Sequence, residues 1–379
     1  MRKNLLLLSV MATLMSACCE SNETVESSLD ALFGQLFPAD APGALVLVEK
    51  DGQIVYDKGF GIADIETGAP ITDTTMFNIC SVSKQFSAMA LFILQEEGKL
   101  SLDDPVNKYF PQFKASFFGK ITLRNLISHT SGLPDSRPRT EAQWKKYRKN
   151  NASIYDNVED FKHYCEEEES CRYMETLDSL AFEPGTKYEY QNPTFQLILG
   201  IVEQVTGEKF DDWMRENVFL PAGMPGTVYF EPDRQIPNMA HGYSKNNNGV
   251  WEECDYGETN FFGTKADGGI YTTALEFVNW DKALYGDLLI SPEMRKEAHT
   301  GHIATDIPYT DYGYGWFIEH RPDRPVKIYH TGDNGGFYIF EGRFPEKDVF
   351  YLIFANQFYW DRDATADKVD QILQKNGWI

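Results

Sequence analysis

The chain of 379 residues has no Cys-x-x-Cys pair and no His-x-His cluster, and His299 and His302 have no acidic or third histidine partner close by. A zinc site is therefore not expected, and nothing else implies a metal or cofactor. Basic charge is scarce: 35 Lys and Arg stand against 57 Asp and Glu, a formal net charge of −22. Such a field repels phosphate backbones, and no basic stripe offsets it, so nucleic acid is not an expected partner. A Gly-x-Ser-x-Gly elbow and a phosphate-binding loop are missing, and Gly59-Phe60-Gly61 lacks the third glycine of a dinucleotide loop. No repeat or low-complexity linker divides the chain, so one domain over residues 24–379 is expected.

What is present begins with an address. Arg2 and Lys3 precede an apolar run from Leu5 to Leu14, and small residues lead into Cys18. The run is too short for a permanent membrane helix of about 20 residues, and reads as an export signal over residues 1–17. Leu14-Met15-Ser16-Ala17-Cys18 is similar to a bacterial lipoprotein signal, which implies cleavage before Cys18 and its lipidation; ordinary secretion is the alternative. The expected location is the periplasm or cell surface, with membrane association through that lipid only. Disulfides are permitted there, and Cys165 and Cys171 are candidates for a bridge, although spacing alone does not establish one.

Apolar spacing at Leu29, Leu32, Phe33 and Leu36 predicts a helix stopped by Pro38. Gly43 to Lys50 and Gln53 to Phe60 read as strands joined by an Asp51-Gly52 hairpin turn. Val349 to Ala355 reads as a central strand covered on both faces, with Tyr312 to Glu319, Val326 to His330 and Phe337 to Arg343 as neighbours. Between these ends the periodicity is helical, and Thr273 with Glu276 predicts a capping box. The expected fold is α/β in the α+β sense. An antiparallel sheet built from both chain ends is flanked by helices, with a mostly helical lobe inserted over about residues 100–285.

Ser81-Val82-Ser83-Lys84 opens the first long helix of the middle region, and Ser81 is the only serine followed three residues later by lysine. Residues three apart share a helix face, so Lys84 can reach the Ser81 hydroxyl and activate it as a nucleophile. Cys80 is expected to be buried and inert. Tyr-x-Asn occurs at Tyr155-Asp156-Asn157 and Tyr190-Gln191-Asn192, with a serine variant at Ser244-Lys245-Asn246. His-Thr-Gly occurs at His299 and at His330; the second ends a strand-like run and precedes Asp333-Asn334-Gly335-Gly336.

Taken with Gly98-Lys99-Leu100-Ser101-Leu102-Asp103-Asp104-Pro105 and Leu126-Ile127-Ser128-His129-Thr130-Ser131-Gly132-Leu133-Pro134, these motifs resemble the β-lactamase-related, penicillin-recognising serine hydrolases over about Val25 to the end. The resemblance implies a β-lactamase/transpeptidase-like fold and a Ser81 acyl-enzyme. It selects Tyr190 as acid/base partner of Lys84, Asn192 as the residue that orients Lys84, and His330 for substrate binding and proton handling. It also implies that Thr331, Gly332 and Asp333 line the substrate, with the backbone N–H groups of Ser81 and Asp333 as oxyanion hole. Asp267-Gly268-Gly269 is expected to be structural, and His129 to pack or hydrogen-bond.

The expected substrate is a small molecule or peptide with an amide or ester bond. An acyltransferase and a slowly turning penicillin-binding sensor are the alternatives. Family carboxypeptidases grip a terminal carboxylate with an arginine on the strand before the third motif. Tyr312 to Glu319 has none, and Arg321 and Arg324 fall beyond it, which speaks against a carboxypeptidase. Asp333 departs from the family's small residue and is expected to point aside from the oxyanion. The sequence does not determine the oligomeric state.

Overall fold

The computed structural model describes residues 24–134, 167–231, 235–254 and 264–379. Cys18, Cys165 and the Tyr155-Asp156-Asn157 alternative lie outside the described residues. Helix α1 (Val25–Leu36) is capped by Thr24 and buries Val25, Leu29 and Phe33. Strands β1 (Ala44–Lys50) and β2 (Gln53–Phe60) form the expected hairpin, with Asp51 and Gly52 both at positive φ. This is the geometry that matches the right-handed twist of the flanking strands.

The rest of the main sheet comes from the C-terminal third: β3 (Ile303–Ala304), β4 (Thr310–Tyr312), β5 (Phe317–Glu319), β6 (Lys327–Asn334), β7 (Phe337–Phe344) and β8 (Val349–Ala355). Among the described residues it is an eight-stranded antiparallel sheet in the order β3-β4-β5-β6-β7-β8-β1-β2. Strand β8 lies between β7 and β1 and is buried along its whole length. Its alternate residues serve two cores. Phe350, Leu352 and Phe354 face the central helices, whereas Tyr351, Ile353 and Ala355 face α1 and the C-terminal helix.

Two expectations need correction. Tyr312 to Glu319 is not one strand but the hairpin β4–β5, turned at Gly313 and Gly315. A side chain at Gly313 would meet the Ala298 carbonyl at 2.3 Å, and Gly315 has φ of 94°. The helix Ala274–Tyr285 packs Phe277 against Phe350 and Phe354 of the sheet and against Phe86 of the central helix. At its start Thr273 caps the Glu276 amide at 3.2 Å. The Glu276 carboxylate does not close the box but accepts from the Gly226 amide and Thr227 hydroxyl at 2.7 and 2.6 Å.

Candidate active site

Cys80–Ser83 form a 3-10 turn, and helix α2 (Lys84–Glu96) begins only at the lysine. In so tight a turn, residues i and i+3 eclipse each other. Lys84 Nζ accordingly donates to Ser81 Oγ at 2.9 Å. Asn78 Oδ1 accepts from the Cys80 amide at 2.7 Å, and Cys80 takes a left-handed φ of 50°, rare for a residue with a side chain. The Cys80 thiol is fully buried, and burial holds its pKa well above the ordinary range, so it stays protonated.

The second motif is carried by a loop that the first lobe helices clamp. Helix α3 (Leu123–Ile127) ends at Ser128, and His129 turns the chain with φ of 56°. Its carbonyl accepts from the Glu189 amide at 3.0 Å and its Nδ1 from the Gln191 amide at 3.1 Å, so His129 grips the chain on both sides of Tyr190. Burial, then the charge of Lys84, holds this histidine well below its usual pKa, and it is neutral. Gly132 also serves the clamp, since a Cβ there would lie 2.1 Å from the Phe182 carbonyl. The lobe helix α5 (Asn192–Thr206; the shorter α4 spans Glu167–Glu175) then starts with Asn192 and a proline in its first turn.

These elements converge on Lys84, which is fully buried. Its Nζ donates to Ser81 Oγ, to Asn192 Oδ1 at 2.8 Å and to the Asp267 carbonyl at 2.8 Å, three acceptors for the three N–H bonds of an ammonium. The Tyr190 ring centroid lies 5.0 Å from Nζ. Asp267 was expected to be structural; its carbonyl is instead part of the site.

Strand β6 supplies the third motif, and here the expectation for His330 is corrected. Its imidazole is buried behind the cleft wall, with Nε2 3.0 Å from the Tyr312 hydroxyl and Nδ1 2.7 Å from the Thr331 carbonyl. A carbonyl can only accept, so Nδ1 carries the hydrogen and Nε2 accepts from Tyr312. Burial, reinforced by Lys84, pushes its pKa down to about 3. A neutral ring with both nitrogens engaged orients its neighbours and does not meet substrate. Alternation along the strand explains this, because Thr331 and Asp333 face the cleft while His330 faces the core. Gly332 is set against the nucleophile turn, where a Cβ would lie 2.5 Å from the Ile79 carbonyl and 2.9 Å from Cys80 Cβ.

Ser81, Tyr190, Asn192, Thr331 and Asp333 line one cleft of about 810 Å³. The other candidates lie elsewhere: His299 is half-buried beside Trp316, and Ser244 and Lys245 sit in a separate two-stranded hairpin. Sequence inspection missed Arg362, the first residue of the C-terminal helix α9 (Arg362–Lys375), which also lines the cleft. Its Nη1 donates to the Gly332 carbonyl at 3.0 Å and its guanidinium lies 4.0 Å from the Tyr338 ring centroid. Nε is buried without a hydrogen-bond partner among the described residues. Burial raises the pKa of the neighbouring Asp333, and Arg362 opposes that rise.

The family profile described as Beta-lactamase matches residues 29–374. The chain belongs to the beta-lactamase family. It is 29% identical over 322 residues to penicillin-binding protein 4* of Bacillus subtilis, covering 82% of this chain and 67% of that protein. To protein flp of Staphylococcus aureus it is 24% identical over 320 residues, covering 83% of this chain and 59% of that one. The solved D-amino acid amidase of Ochrobactrum anthropi superposes with a TM-score of 0.75 at 21% identity, covering 93% and 99% of the two chains. This beta-lactamase-family member is thus a serine hydrolase of the penicillin-binding-protein-like kind, with the fold its sequence resembled. Arg321 and Arg324, which fall beyond β5, pair with Asp367, and Arg324 also with Asp370, on α9.

Proposed function

We propose that this protein cleaves a peptide, amide or ester through an acyl-enzyme on Ser81. One observation carries the reading: Lys84 Nζ stands 2.9 Å from the hydroxyl of Ser81, which lines an open cleft. Lys84, once it has given up one proton, takes the hydroxyl proton as Ser81 Oγ attacks the carbonyl. Tyr190 passes a proton to the leaving group, and water enters by the reverse path to release the acid. Asn192 holds Lys84 in register, and the backbone N–H groups of Ser81 and Asp333 receive the oxyanion, each worth on the order of 10²–10³ in rate. No cofactor takes part. We place the reaction outside the cytoplasm, with Cys18 as lipid anchor, on the strength of the N-terminal signal pattern.

Arg362 favours one substrate class within this reading. Its guanidinium lines the cleft with Asp333, and a cation there supports recognition of a free carboxylate on the substrate. The lack of an arginine on β4 and β5 therefore no longer speaks against a carboxypeptidase. β-Lactams are expected to acylate Ser81 and to leave slowly.

The test is intact mass after a fluorophosphonate and, separately, a β-lactam, on the mature protein and Ser81→Ala. One adduct per chain, lost in the variant, is the expected result. A folded protein that takes neither reagent overturns the reading in favour of a binding protein, and product transfer to an added amine would make it an acyltransferase.

A further inference from the structure

The Asp267 carbonyl that accepts from Lys84 belongs to a short segment, 265–269, held from three sides. From α2, the Ser87 hydroxyl donates to the Ala266 carbonyl. From α5, Gln196 Nε2 donates to the Asp267 carboxylate at 3.2 Å, and Ser170 of α4 donates in turn to Gln196 Oε1. From the start of α4, Glu167 accepts through one carboxylate oxygen from the Lys265 amide and from the Ala266 amide, the latter at 2.9 Å. Glu167 and Ser170 are three apart and lie on one face of that helix. Both are buried, and neither lines the cleft.

We propose that Glu167 is a positioning residue for the nucleophile's base: its carboxylate holds the Lys265–Ala266 amides so that the Asp267 carbonyl stays on Lys84. The proposal rests on the Ser81–Lys84 reading above and adds a residue outside the reacting atoms. An acceptor that is charged binds two amides more strongly than a neutral one, so the hold is firmest when Glu167 is ionised. The titratable groups facing it are Asp267 and the Tyr229 phenol; Lys265 reaches it through its backbone amide, and the Lys265 ammonium is paired with Asp211 and Glu231. Burial, then the hydrogen bonds that oppose it and the nearby Asp267, brings Glu167 to a pKa of about 7, so its charge changes within the working range. Protonation loosens the two amides, releases the Asp267 carbonyl, and leaves a buried Lys84 N–H without its acceptor.

The experiment follows fluorophosphonate inactivation from pH 5 to 9 for the full chain, Glu167→Gln and Glu167→Ala, with melting temperatures and a crystal structure of each variant. Glu167→Gln offers only a neutral acceptor, as protonated Glu167 does, and is expected to lose the acid limb of the parent by staying at every pH at the reduced rate the parent shows when Glu167 is protonated. Glu167→Ala is expected to fall about 100-fold at all pH values, the scale of a misplaced catalytic group, with the Asp267 carbonyl beyond hydrogen-bond reach of Lys84 Nζ. A merely stabilising Glu167 would lower the melting temperature and leave the pH profile of the folded variants superimposed on the parent, which overturns the proposal. So does a carbonyl still seated on Lys84 in the Glu167→Ala structure. If the parent itself takes no label, the Ser81 reading fails, and the crystal structures alone decide whether Glu167 positions the carbonyl.

Discussion

Gly332→Ala isolates how strand β6 positions the nucleophile. The added Cβ would sit 2.5 Å from the Ile79 carbonyl, 2.9 Å from Cys80 Cβ and 3.2 Å from Ile339 Cβ. The first two neighbours belong to the turn that presents Ser81, and the closest is backbone that cannot rotate away. Ordinary contact begins near 3.4 Å, so the turn and the strand must separate by almost 1 Å. Overpacking of this kind costs roughly 1–3 kcal/mol in stability. A displacement of about 1 Å at a reacting group costs on the order of 100-fold in rate. Gly268→Ala is the control, because its Cβ approaches the same Cys80 from another side at 3.7 Å, an ordinary contact. Urea melts and fluorophosphonate inactivation rates on both variants decide the matter. Gly332→Ala should lose stability and about two orders of magnitude in rate, and Gly268→Ala should stay within about threefold. Equal rates in the two variants would refute the claim that this close approach sets the position of Ser81.

Arg362→Gln should raise KM for a substrate ending in a free carboxylate by about 10-fold or more, the worth of a charge-assisted hydrogen bond, and leave its amidated counterpart nearly unaffected. Equal effects on the two substrates would remove Arg362 from carboxylate recognition. His330 makes the folded state sensitive to acid. Its pKa is 6.5 in the unfolded chain and about 3 when folded, so its contribution is fully present above pH 6.5 and is lost as pH falls toward 3. Between pH 7.5 and 5.5 the parent should therefore lose about 1.4 kcal/mol more than His330→Gln in urea titrations. Identical losses would mean that the ring is protonated in the fold.

Local chemistry was legible from the order of residues alone. Ser81 and Lys84 meet because they are three apart in a tight turn, and Asp51-Gly52 closes a hairpin because both can adopt positive φ. The unbroken apolar run of β8 declared a strand with two buried faces, and with it a sheet drawn from both ends of the chain. The family motifs led to Tyr190, Asn192, Thr331 and Asp333, which the fold brings into one cleft. What tertiary structure decided depends on groups far apart in the chain. The other two acceptors of Lys84 come from 108 and 183 positions away. Which way His330 faces follows from the register of β6 in the sheet, and no local pattern separates a strand's core face from its cleft face when both are lined with aromatic and polar residues. Arg362 enters the cleft only because α9 begins beside Gly332, and Glu167 looks in sequence like one more acid in a Glu-rich loop. A side chain's type sets what it can do; packing sets what it touches, because the carbonyls and amides that hold these groups carry no signature in the sequence.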